Sequence, residues 1–172
     1  MRTGRNASSL PIVLFGYLGG RNLGDDAMLA GFFEAARPAG RRFIVLARDP
    51  AAVEVPVGVA AEVRPAGLKA ALGAIWQADG IARVGGTSFH DEYEHDFARK
   101  MLIRYAKLAA LFVVPALLGK RVGAFGVGFG GMRRASTNLL ARAAMGACSW
   151  LVVRDPMSLV TARRLSRKPE LG

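Results

Sequence analysis

The chain has 172 residues, a length that suits one compact domain. Hydrophobic residues make up 52% and charged residues 22%, which excludes wholesale disorder, and the single cysteine, Cys148, excludes an intrachain disulfide framework. Lysine and arginine number 24 against 13 acidic residues, a net charge of +11 that favours anionic partners; the cations are scattered and no aromatic-interleaved basic stripe accompanies them, so nucleic acid is not expected.

Residues 1–10 read as a disordered tail whose charge resembles a signal peptide but which lacks a long enough apolar core. The first strand is expected over Pro11–Phe15, followed by a glycine-rich turn. A helix then runs from about Asp25 to Arg37, with Ala27, Met28, Phe32 and Phe33 as its apolar face and Asp25 and Asp26 as its cap. The second strand is Arg42–Leu46, and Ala47-Arg48-Asp49-Pro50 is a turn signal. Ala61–Arg64 is expected as a short edge strand, Leu68–Trp76 as a helix and Gly80–Val84 as a strand. A long helix over Phe97–Leu118, a strand over Arg121–Phe125 and a glycine loop through Gly131 come next. A helix over Asn138–Ala147, with Cys148 packed at its end, a strand over Trp150–Val153 and a helix from Ser158 close the chain. This alternation predicts an α/β fold with an open, mainly parallel, doubly wound sheet, Rossmann-like, occupying residues 11–172. The longest apolar stretch, Leu108–Leu118, is broken by Pro115 and falls short of the roughly 20 residues a bilayer span needs. The expected location is cytoplasmic, with room for peripheral contact at the inner membrane face.

Four constellations carry polar groups to the ends of expected strands. The first, Gly16-Tyr17-Leu18-Gly19-Gly20-Arg21-Asn22-Leu23-Gly24-Asp25-Asp26, is a strand-to-helix turn whose backbone N–H groups would sit beside a positive helix end, suited to a phosphate or carboxylate. It has no Gly-Lys-Ser/Thr and is too long and too acidic for a dinucleotide turn, so its carboxylates suit sugar hydroxyls or a positively charged neighbour. The second, Val84-Gly85-Gly86-Thr87-Ser88-Phe89-His90-Asp91, offers His90 and Asp91 for acid–base chemistry; the spacing of His90 and His95 matches no strong metal motif, and no metal is expected. The third, Gly126-Val127-Gly128, reads equally as a flexible turn or as backbone that a ligand can approach. The fourth, Val153-Arg154-Asp155-Pro156-Met157-Ser158, pairs Arg154 with Asp155 at a corner and offers Ser158 as a cap.

The order of these landmarks resembles the polysaccharide pyruvyl transferase family. Asn22-Leu23-Gly24-Asp25-Asp26 at the first turn and Arg154-Asp155-Pro156-Met157-Ser158 near the end are the specific elements; Gly85-Gly86 and Gly126-Val127-Gly128 fall between them in the same order. The resemblance spans about Ile12 to Leu165. The chain departs from the family pattern at Gly85-Gly86-Thr87, where a third glycine is usual, and at Gly128-Phe129-Gly130, where a proline is usual. The resemblance implies one lobe of a two-lobed enzyme similar to GT-B glycosyltransferases. It also implies transfer of an enolpyruvyl unit from phosphoenolpyruvate to hydroxyls of a sugar or lipid-linked saccharide, with no cofactor. Asp25 is then the candidate catalytic carboxylate, and Tyr17, Gly19, Asn22, Gly24, Asp26, Gly85, Gly86, His90, Gly128 and Arg154 are candidate substrate-binding positions. The family's donor-binding Arg and His motifs belong to a carboxyl-terminal lobe and none is found here, so the chain is expected to be inactive alone; association of copies is left open. A nucleotide-sugar-dependent glycosyltransferase lobe and a non-catalytic module that binds glycans or lipid carriers are the alternatives.

Overall fold

A computed structural model describes residues 10–91 and 98–165. The chain falls into two compact units, Met1–Val84 and Gly85–Gly172.

The first unit holds four parallel strands: β1 (Ile12–Gly16), β2 (Arg42–Ala47), β3 (Ala60–Pro65) and β4 (Gly80–Val84), in the order β3-β2-β1-β4. Val13, Leu14, Phe43, Ile44, Val45, Leu46, Ile81 and Ala82 are buried along them, as the continuous apolar runs of a parallel sheet require. The chain builds outward from β1 to β3 and then returns to lay β4 on the other side of β1, so the strand order reverses at β1.

Helix α1 (Leu23–Ala36) buries Asp25, Leu29, Phe32 and Phe33, an i, i+4, i+7, i+8 stripe. Phe32 and Phe33 each bring a ring centroid to 5.7 Å from that of Phe43 on β2. Of the expected apolar face Phe32 and Phe33 are buried, but Ala27 is exposed and Met28 half-buried, and Leu29 takes the core position in the first turns. Helix α2 (Leu68–Trp76) and the strands β2, β3 and β4 keep close to their expected limits, and β3 stands at the edge of the unit's sheet.

The second unit places β6 (Arg121–Phe129) between β5 (Thr87–Phe89) and β7 (Trp150–Val153), again in parallel. Helix α3 (Ala98–Leu117) packs on α4 (Ala135–Ala147), and α5 (Pro156–Leu165) packs on α4, β6 and β7. α3 runs through Pro115 in its last turn and stops at Gly119, whose φ of 74° is the left-handed conformation that ends helices. Three expectations are corrected here. The glycine loop after Phe125 is strand: Gly126, at φ 64°, makes a bulge that shifts the register to β7, and β6 continues to Phe129. Helix α4 begins at Ala135, three residues earlier than Asn138. Thr87–Phe89 is a strand where no element was expected.

Both units are therefore open, parallel α/β, the Rossmann-like class. No described helix is long and apolar enough to cross a membrane. Cys148 is buried at the end of α4, its thiol 3.5 Å from the carbonyl of Ala144, as expected of a small core residue. Residues 1–9, His95 and the segment after Leu165 lie outside the described residues.

Candidate functional site

In the first unit, the turn from Tyr17 to Asn22 leaves the carboxyl end of β1, the strand where the order reverses. Ligands of open α/β sheets bind outside the carboxyl ends of strands at such a point. Several close fits shape this turn. A Cβ on Gly16 would lie 2.2 Å from the carbonyl oxygen of Val84, so β1 and β4 need glycine there. Gly19 sits at φ 65°, and a Cβ on it would lie 2.3 Å from the carbonyl oxygen of Asp49. Arg21 holds φ 55°, the left-handed region, and is the only non-glycine with positive φ among the described residues. The backbone N–H of Arg48 donates to the carbonyl of Leu18 at 2.8 Å, which ties the turn to the end of β2.

Asn22, not Asp25 or Asp26, caps α1. Its Oδ1 accepts the N–H of Gly24 at 3.0 Å and of Asp25 at 3.4 Å, while its carbonyl accepts the N–H of Asp26 at 3.0 Å. The amides of Gly24, Asp25 and Asp26 at the helix start are thus engaged by the protein itself. What the turn presents to solvent is side-chain chemistry. Tyr17 is exposed, its hydroxyl accepts from Nη1 of Arg48 at 2.7 Å, and the Arg48 guanidinium carbon lies 5.6 Å from the ring centroid. Arg21, exposed, and Asp49, partly exposed, approach to 3.9 Å beside them. Asp26 is half-buried and Asp25 is buried at 6% exposure on the core stripe. The turn therefore offers a phenol and two guanidinium groups to solvent. The sequence reading missed Arg48 and Asp49, which were assigned to a turn; the signal was their position at the end of a neighbouring parallel strand.

In the second unit, Gly85, Gly86, His90, Gly128 and Arg154 are brought together around the ends of β5, β6 and β7. Gly85 and Gly86 take φ 68° and 73°; the N–H of Gly85 donates to the carbonyl of Phe125, and the carbonyl of Gly86 accepts the N–H of Gly128 at 3.0 Å. The Arg154 side chain lies across Gly128, where a Cβ would meet its Nε at 2.6 Å. His90 packs against Gly130, and its backbone N–H and carbonyl are both bonded to the Tyr105 hydroxyl. Its Nδ1 is buried with no hydrogen-bond partner.

Two aspartates of this unit serve structure. The Asp91 carboxylate accepts the N–H of Arg133 at 2.6 Å and of Arg134 at 3.0 Å at the start of α4. Burial pushes its pKa up, but the Arg133 amide, the Thr137 hydroxyl, the Arg134 amide and the Arg134 charge outweigh burial and hold the carboxyl below its ordinary value. Asp155 caps α5, accepting the Ser158 N–H at 2.7 Å and its hydroxyl at 2.9 Å; Ser158, expected as the cap, is instead a buried residue of the first turn. Those bonds, amide first, then hydroxyl, hold the Asp155 carboxyl below its usual range against a small opposing effect of burial, and Arg154 at 3.2 Å adds to them. The expected Arg154–Asp155 pair exists but is the lesser part of the corner.

A groove of about 660 Å³ in the first unit is lined by Leu10, Pro11, Arg42, Ala60, Glu62 and Gln77 among others. It lies at the amino-terminal ends of β2 and β3, the opposite end from the turn after β1. No group of three metal-ligating side chains occurs among the described residues. No protein-family model, curated protein or solved structure matches the chain.

Proposed function

We propose that the chain is the amino-terminal lobe of a polysaccharide pyruvyl transferase, working with a second lobe that binds phosphoenolpyruvate. In that reaction two acceptor hydroxyl oxygens bond to C2 of phosphoenolpyruvate and the C2–O bond to phosphate breaks. The methylene carbon takes up one proton and becomes the methyl, and inorganic phosphate leaves with the other. The acceptor is a sugar, free or lipid-linked, of the cell envelope.

The observation that carries this reading is the exposed Tyr17–Arg48 pair beside the Asn22-capped helix, at the carboxyl end of the strand where the order reverses. In this role Tyr17, Arg48 and Asn22 face the acceptor. Asp25, buried in the first turn of α1, positions the acceptor-binding turn.

The test uses the product of the complete gene with phosphoenolpyruvate and envelope saccharides, reading phosphate release and the ketal by mass spectrometry. Asp25→Asn is expected to keep its helical content and lose ketal formation. Unchanged turnover removes Asp25 from the reaction. Transfer from nucleotide sugars with none from phosphoenolpyruvate replaces the reading with a glycosyltransferase lobe.

A further inference from the structure

We infer that the solvent face of α3 is a docking surface for an anionic lipid bilayer. The inference stands on α3 alone and does not depend on the transferase reading. The inward face of this helix is defined by Met101, Tyr105, Ala109 and Phe112, all buried. The outward face, half a turn away, runs through Ile103, Lys107, Ala110, Val114 and Leu117 at spacings of four and three residues, a continuous line on a helix of 3.6 residues per turn.

Two properties of this face belong together. Its carboxyl-terminal half is apolar and uncovered: Val114 is 46% exposed, Leu117 82%, and Leu118 just beyond the helix 53%. Its amino-terminal half carries cations on that line, Arg99 and Lys107, both exposed. Residues 98–117 contain no aspartate or glutamate, so no acidic group within the helix offsets this charge. A helix lying in the headgroup region needs this composition: apolar side chains to enter the acyl boundary and cations to meet anionic headgroups. The long stems of Arg99 and Lys107 let their charges reach the headgroups while their methylenes extend the apolar band. A protein partner is less well served, because interface cores are depleted of lysine. The helix is too polar to span the bilayer, so the contact is peripheral.

The test is flotation of the full chain with phosphatidylglycerol vesicles and with phosphatidylcholine vesicles, at low salt and at about 1 M salt, where the Debye length falls to about 3 Å. The wild type is expected to float with phosphatidylglycerol at low salt and to leave phosphatidylcholine unbound. Arg99→Glu/Lys107→Glu is expected to lower the partition coefficient at least tenfold, since each cation near an anionic surface contributes roughly fivefold. Val114→Glu/Leu117→Glu is expected to lower it comparably and to make the residue of binding wholly salt-labile. Circular dichroism checks that both variants keep the wild-type fold. Equal binding to the two lipids, no binding at low salt, or variants that bind as the wild type would each overturn the inference. So would a dimer in light scattering that Val114→Glu/Leu117→Glu dissociates, which would assign the face to a second copy, or DNA binding lost with Arg99→Glu/Lys107→Glu while vesicles stay unbound.

Discussion

The carboxylate of Asp91, just beyond β5, accepts the backbone N–H of Arg133 at 2.6 Å, and so a residue 42 positions away supplies the anionic group at the start of α4. Arg134, the residue before that helix, provides no side-chain cap of its own. The loop after β5 and the helix after β6 are thereby fixed to each other. Asp91→Ala is expected to cost about 2 kcal/mol in urea denaturation, because two part-buried amides lose a charged acceptor, and Asp91→Asn about half of that. The pKa of Asp91 is depressed in the folded chain, so its contribution is complete above the unfolded value of about 3.9 and is lost as pH falls through the lower folded value. Acid titration of stability is expected to show a steeper loss below about pH 4 in the wild type than in Asp91→Asn.

At the corner between β7 and α5, the hydroxyl of Ser158 donates to Asp155 and accepts the N–H of Phe129 at 3.0 Å. It is 1% exposed. Ser158→Ala leaves the Phe129 amide at the end of β6 without that acceptor and is expected to cost about 1–3 kcal/mol. Asp155→Ala removes a helix cap that is partly open to water, and about 1 kcal/mol is expected. If Ser158→Ala proves the milder variant by thermal unfolding, the hydroxyl bridge is not what holds this corner.

Gly19 and Gly128 make a contrast. An alanine at Gly19 must adopt a left-handed backbone and push its Cβ against the carbonyl of Asp49, which is main chain and cannot swing aside. Gly19→Ala is expected to lose at least about 2 kcal/mol and to unsettle the turn after β1. At Gly128 the obstacle is the half-exposed guanidinium of Arg154, which can move into solvent. Gly128→Ala is expected to stay within about 1 kcal/mol of wild type while lengthening the Arg154–Asp155 pair in a crystal structure.

Around the turn after β1, stability and recognition separate. Asn22→Ala removes the cap of α1 and is expected to cost about 1 kcal/mol. Tyr17→Phe deletes one exposed bond to Arg48, so its stability is expected to lie within about 0.5 kcal/mol of wild type. Under the proposed function Tyr17→Phe raises the acceptor KM without lowering kcat, which steady-state kinetics with a purified saccharide acceptor would measure.

Strands β1, β2, β4 and β7 and helix α2 were legible because their apolar runs are bounded by glycine, proline or polar turns. Three features were not legible, each for a physical reason. Gly126 and Gly128 carry the composition of a turn, but a left-handed glycine also permits a bulge, and only the pairing partner shows that β6 continues to Phe129. Asn22 and Asp25 are both good capping residues; the winner depends on where the helix starts, and starting at Leu23 turns Asp25 onto the stripe it shares with Leu29 and Phe32. The partners of Tyr17 and Asp91 lie 31 and 42 residues away, at distances no local pattern encodes. The candidate positions themselves were chosen because they end strands, whereas Arg48 and Asp49 were passed over as a turn.

The indole of Trp150 lies flat over Gly123, where any Cβ would collide with the ring at 2.0 Å, while Trp76 in the other unit is 76% exposed. The chain has only these two tryptophans. Its intrinsic fluorescence is therefore a ready-made optical probe: a red shift on denaturation reports the ring leaving Gly123, and so the melting of the second unit, against a nearly constant background from Trp76. Replacing Trp76 with phenylalanine would isolate that signal without an external dye.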